Sequence, residues 1–326
     1  MQKRLFALAA AAVALAFTTA APLPAVAQPI VLKGATPWIA DYNLSKPLFI
    51  MQKMATDKLK GKLVVSYLGG EEVVPAFEQF EALRNGTLDI IVGVAAYYTG
   101  QIPEASAVLM SRKSPTELRK NGYYDLMRKL HEDKGVVYLA NVGGSAGVGF
   151  RLYSKTKLDK PDLSGLKVRV SPVYVELVRA LGGTPVTMKP TEVYTGLERG
   201  IVDAYGWAYL GVRDFGWQEV SKYVVNHPFY SLDTVILVNK RVWDGLPADV
   251  RAGLEQIGAE LEGAVEKMRV EENAKEDKTL KDVGMQFLTW SDADAKRFLD
   301  TAYDEKWKVM LQKCPDVCGK LKALSQ

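Results

Sequence analysis

Residues 63–94 read LVVSYLGGEEVVPAFEQFEALRNGTLDIIVGV. Leu63 to Leu68 is an apolar run bounded by Gly69-Gly70, which is the signature of a strand. Val74 to Asn85 carries a helical pattern, and Gly86 stands where a helix takes its left-handed C-terminal residue. Leu88 to Val94 is a second apolar, β-branched run. Strand, helix and strand thus follow one another within 32 residues. The same alternation extends upstream, with a strand expected at Ile30 to Thr36 and a helix at Tyr42 to Lys60. It predicts an α/β fold, a parallel sheet covered by helices.

Downstream, Ser114-Pro115-Thr116-Glu117 opens a helix. Ser caps it, Pro takes the first position and Glu closes a capping box. Val136 to Val142 and Val148 to Ser154 read as strands around the glycine-rich crossing Gly143-Gly144-Ser145-Ala146-Gly147. A strand at Leu166 to Val170 precedes helices at Pro172 to Leu181 and Glu192 to Arg199. Tyr223 to Tyr230 and Thr234 to Asn239 read as strands returning to the first domain. From Ala248 to about Lys281, Val250, Leu254, Ile257, Leu261, Ala264 and Met268 recur at spacings of four and three. That is one apolar stripe on a long helix. It suits a helix lying across both domains, and a coiled coil would use the same stripe. A strand at Met285 to Trp290 leads into a helix capped by Ser291.

The N-terminus sets the expected compartment. Lys3 and Arg4 precede an apolar run from Leu5 to Phe17, and Ala25-Val26-Ala27 supplies small residues before a cleavage point. This reads as a signal peptide, residues 1–27, removed before Gln28. The apolar run is too short for a permanent membrane span. The mature chain is therefore expected in the periplasm. It is long enough for two lobes. These are placed at 28–146 plus about 232–272, and at 147–231 plus about 273–326.

Composition is 48% apolar and 25% charged, with a formal net charge of +4. Without Lys3 and Arg4 the remainder carries about +2. With no basic run interleaved with aromatics, nucleic acid is not an expected partner. The only cysteines, Cys314 and Cys318, are expected to form a local disulfide in an oxidising compartment. Two thiols without a nearby histidine make a poor metal site. No cofactor and no metal are expected, and the chain is read as a monomer.

Enzyme signatures are thin. His131 falls in the polar part of a helix and reads as solvated; His227, before Pro228, reads as structural. There is no nucleophile elbow and no dinucleotide or phosphate-binding loop after a strand. Two arginines are more informative. Arg151 lies in Gly149-Phe150-Arg151-Leu152-Tyr153, and Arg169 in Lys167-Val168-Arg169-Val170. A guanidinium inside an apolar strand needs an anion to offset its desolvation. Either it faces out or meets an internal carboxylate, or it grips a ligand carboxylate with its planar fork.

The order of these pieces resembles a known family. Gly149-Phe150-Arg151, Asp162 to Val170, Leu181-Gly182-Gly183-Thr184-Pro185-Val186 and Glu192 to Ala204 resemble the DctP-like solute-binding proteins of tripartite ATP-independent periplasmic (TRAP) transporters. Leu83 to Ile90 resembles that family's helix-to-strand corner. The resemblance implies a two-lobed binding protein with crossing strands and a long helix, closing on its ligand. It implies delivery of a small organic carboxylate to a small and a large membrane subunit, without catalysis. Arg169 matches the family's carboxylate anchor, and Arg151 a frequent second contact.

The chain departs from the pattern at Ala204-Tyr205-Gly206-Trp207-Ala208, where many members continue Gly-Gln-Glu-Asn-Pro. Trp207 replaces an amide with a flat apolar wall and is read as ligand-facing. That favours a monocarboxylate with an apolar or aromatic body. Tyr174 is read as a further ligand contact, and Phe215 and Trp217 as core. The first lobe should add side chains from loops at the carboxyl ends of its strands, with Trp38, Glu72 and Tyr97 as candidates. A periplasmic enzyme on such a fold, or a receptor feeding a signalling partner, are the alternatives.

Overall fold

The computed structural model describes residues 28–144 and 149–326. The expected signal peptide and part of the glycine-rich crossing lie outside the described residues. Two sheets organise the chain. The first contains β1 (Ile30–Ala35), β2 (Leu63–Gly69), β3 (Ile90–Val94), β4 (Val136–Asn141) and β10 (Thr234–Asn239). Its order is β2-β1-β3-β10-β4. The second contains β5 (Phe150–Ser154), β6 (Lys167–Val170), β7 (Thr184–Thr187), β8 (Ala204–Ala208), β9 (Tyr223–Val225) and β11 (Gln286–Leu288). Its order is β11-β9-β5-β8-β6-β7.

The expectation of a parallel sheet holds only in part. β1 runs parallel to β2 and β3, but β10 is antiparallel to both of its neighbours. In the second sheet β5 is antiparallel to β8 and β9. These reversals follow from chain that crosses between lobes, since a strand arriving from the other lobe enters from the opposite end. The run Tyr223 to Tyr230 does not return to the first sheet. It pairs in the second and stops at Val225, and Pro228 has no N–H to continue a ladder. Only Thr234–Asn239 joins the first sheet.

The helices are α1 (Lys46–Lys58), α2 (Gln79–Asn85), α3 (Pro115–Lys120), α4 (Tyr123–Glu132), α5 (Val175–Ala180), α6 (Val193–Glu198), α7 (Lys240–Gly245), α8 (Ala248–Asp282), α9 (Asp292–Lys313) and α10 (Pro315–Ser325). Their termini are locally encoded. Gly86 takes φ 87° after α2. Ser114 and Glu117 form the expected capping box on α3, and Ser291 caps α9 through Asp294 N.

The long helix α8 buries Val250, Leu254, Ile257, Leu261 and Val265. Ala264 is exposed and Met268 only half-buried, so the stripe drifts to Val265 and Arg269 as a 3.6-residue period requires. It packs on α1 and β4, so a coiled coil would have to compete with the chain's own core. Farther along, Asp277 meets Arg151 and Glu276 meets Arg213. The helix thus touches both lobes.

Cys314 and Cys318 are bonded and join α9 to the first turn of α10. α10 then turns back to the first lobe, against α4 and residues 103–110. There Leu324 O accepts from Lys113 Nζ and Asn121 Nδ2. The tail past Cys314 therefore packs against the first lobe as well as against α9.

His131 is fully buried, not solvated. Its Nδ1 donates to Met127 O at 2.7 Å and its Nε2 accepts from Tyr98 Oη at 3.0 Å. Burial lowers it to about 4, so it is neutral at neutral pH. His227 is structural, as read: its Nε2 accepts from Trp290 N.

Candidate functional site

The site is built where strands of the two sheets end against one another. Arg169 sits in β6 and is fully buried. Its Nε donates to Met188 O at 3.0 Å. Its Nη1 donates to Tyr174 Oη at 3.0 Å and to Gly206 O at 3.3 Å. Tyr174 Oη in turn donates to Gly206 O at 2.6 Å. Gly206 is required here, because a Cβ at that position would lie 2.7 Å from the Tyr174 ring. The guanidinium is therefore clamped on one side by neutral oxygens. Its other terminal nitrogen, Nη2, has no hydrogen-bonding partner among the described residues.

Nη2 belongs to a side chain that lines a cavity between the lobes. Trp38, Val94, Ala96, Tyr97 and Leu44 come from the first lobe, and Phe150, Ser171, Trp207 and Ala208 from the second. The crossing segment adds Leu232, Asp233 and Thr234. Ser171 Oγ and Thr234 Oγ1 share with Arg169 Nη2 the lack of a partner among the described residues. Polar atoms shut away from water in this way are costly unless a ligand meets them. The free space among these side chains is about 20 Å³. That is room for one water, so a larger ligand needs the lobes to part.

Tyr42 holds the lobes together over this space. Trp207 Nε1 donates to Tyr42 Oη at 3.0 Å, and Tyr42 Oη donates to Leu210 O at 3.3 Å. Phe215 packs on Tyr42 and Trp207, and Trp217 is buried behind them.

The structure thus brings Arg169, Trp207, Trp38 and Tyr97 together. Tyr174 braces Arg169 but does not line the cavity. Arg151 is not part of the group. It neighbours Phe150, and successive residues of a strand face opposite sides. Phe150 faces the cavity, so Arg151 faces α8. There it pairs with Asp277 at 3.3 Å and stacks over Tyr209 at 3.9 Å. Glu72 is exposed at the rim, and its Oε1 accepts from Gly70 N at 2.7 Å. Sequence reasoning missed Asp233, which stands in a linking segment without periodicity. It also missed Phe150 and Tyr42, which look like ordinary core residues.

Two α/β lobes with a largely apolar cavity between them, carrying a few buried polar atoms, make a candidate ligand site. Comparison with known proteins agrees. Residues 40–313 match the family model DctP, bacterial extracellular solute-binding protein, family 7. The chain is 31% identical to the C4-dicarboxylate-binding periplasmic protein DctP of Rhodobacter capsulatus, over 83% of each chain. It is 25% identical to the 2,3-diketo-L-gulonate-binding periplasmic protein YiaO of Escherichia coli, over 83% of this chain and 84% of that one. In fold it is similar to a TRAP periplasmic solute-binding protein from Desulfovibrio salexigens solved with bound orotic acid. The TM-score is 0.82 at 19% identity, covering 90% of this chain and 97% of the other. The chain belongs to the DctP family of extracellular solute-binding proteins, as its sequence resemblance implied.

Proposed function

We propose that this protein is the periplasmic solute-binding subunit of a TRAP transporter. It captures a small organic monocarboxylate with an apolar or aromatic body and presents it to the small and large membrane subunits. One observation carries the reading: a buried arginine, braced by neutral oxygens and with one terminal nitrogen unpartnered among the described residues, lines a cavity walled by Trp38, Tyr97, Phe150 and Trp207. A carboxylate is the group that such a nitrogen binds with most gain. The aromatic walls suit an apolar body.

A thermal-shift screen against a carboxylate library tests it. Binding to the native state stabilises by RT ln(1 + [L]/Kd), about 2.7 kcal/mol at a hundredfold excess over Kd. Apolar monocarboxylates should raise Tm and be recovered unchanged. A screen that yields turnover, or no shift with any acid, overturns the reading.

Trp207→Asn separates wall from scaffold. Every ligand should suffer from the lost Tyr42 hydrogen bond. An apolar acid should suffer further, because wall area worth about 25 cal/mol per Å² is removed. Equal losses for an apolar and a small polar acid would make Trp207 scaffold alone.

A further inference from the structure

Asp233 takes no part in that anchor, yet it lines the same cavity. It sits one residue before β10, at the seam where the chain re-enters the first lobe. Its side chain is buried, and its Oδ2 accepts from Ala96 N at 2.6 Å. Lys306 is the cation whose charge reaches it, but Lys306 Nζ pairs with Glu176, at 4.0 Å. Tyr97 and Tyr98 are the other titratable neighbours. Burial pushes Asp233 up to about 7, so at neutral pH its charge is only loosely held.

The remaining polar atoms of the cavity include a dedicated donor, Arg169 Nη2. It suits the ligand's carboxylate. Asp233 is the opposite kind of group, an acceptor whose donors are the backbone amides of Ala96 and of its own residue, with no side-chain donor among the described residues. A ligand bearing nothing but a carboxylate leaves it so. A second carboxylate beside it meets a like charge, which disfavours the ionised pair. An O–H or N–H on the ligand supplies the missing donor. The geometry points to Asp233 as the residue that sets specificity: it accepts a hydrogen bond from a hydroxyl or amino group of the ligand and turns away a second carboxylate. This rests on the binding reading above and narrows it to hydroxylated or aminated monocarboxylates.

Two series of acids test it by calorimetry at pH 8, where Asp233 is ionised. Phenylacetate, mandelate, phenylglycine and phenylmalonate vary the group beside the carboxylate. Benzoate, 4-hydroxybenzoate, 4-aminobenzoate and terephthalate vary it at the far end of the ring. In at least one series the hydroxyl or amino member should bind roughly ten- to a hundredfold more tightly than its parent, the scale of a hydrogen bond to a charged group. The diacid should bind more weakly than the parent. Comparing the hydroxyl with the amino member tells which donor the site takes. Asp233→Asn keeps the shape and removes the charge, so the donor preference should shrink and the diacid should gain. If the wild type binds parent, donor and diacid alike, or Asp233→Asn leaves the ranking intact, the assignment is wrong. If no acid in either series binds, the carboxylate reading itself fails and this one falls with it. Monoacids that bind without regard to residue 233 overturn only the role of Asp233.

Discussion

Arg169→Ala is expected to raise Kd for the carboxylate ligand by roughly thirtyfold to several thousandfold. Truncating one partner of a buried, hydrogen-bonded charge pair costs about 2–5 kcal/mol, and 1.4 kcal/mol is a decade of affinity. The upper part of that range applies because Arg169 is fully buried and already oriented by Met188 O, Tyr174 Oη and Gly206 O. Little entropy is left to lose when the ligand arrives. Arg169→Lys keeps the charge but has no planar fork. It cannot meet Met188 O, Tyr174 and a carboxylate together, so it should recover only part of the affinity. The fold should persist, because no carboxylate among the described residues pairs with Arg169. Calorimetric titration of both variants, with circular dichroism as the control, measures this. A folded Arg169→Ala protein that binds like wild type would place the anchor elsewhere.

Arg119→Met should lower stability by about 3–5 kcal/mol, because it strips the partner from a buried carboxylate. Arg119 reaches from α3 to α8. It donates to Glu262 through Nε at 2.6 Å and Nη2 at 2.9 Å. Glu262 is almost wholly buried and also accepts from Asn141 N at 2.8 Å. Burial already pushes its carboxyl up, and Arg119 is the chief group holding it down. Without that cation its folded-state pKa rises further above the unfolded value. A raised carboxyl favours the folded state only while it stays protonated, and that contribution is lost as pH rises. The gap between variant and wild type should therefore be wide at pH 8 and narrower at pH 5. Urea unfolding at the two pH values, with Arg119→Met/Glu262→Gln as a partial rescue, checks it. A loss under 1 kcal/mol at pH 8 would mean that water or another cation compensates.

The alternation of strands and helices, the helix caps, the apolar stripe of α8 and the unusual setting of Arg169 were all legible along the chain. Each rests on interactions within a few residues. Gly86 needs its left-handed φ because of the helix just before it, and Ser114 caps the amide three residues on. An arginine between two buried valines announces an uncommon environment wherever the strand ends up.

The cleft is another matter. Arg151 and Arg169 carry the same local signature, but one turns to Asp277 on α8 and the other to the cavity. Which face of a strand looks into the cleft depends on where the opposite lobe lies, and no local pattern encodes that. Trp207 and Tyr42 are 165 residues apart in sequence and 3.0 Å apart in space. Asp233 and His131 were unreadable for the same reason. Burial, which lifts one pKa and lowers the other, is a property of neighbours brought in by the fold. Strand, helix and cap are short-range events that side chains and backbone decide locally. The pairing of lobes, and with it the partners left to each charge, is decided only when distant segments close over one another and exclude water.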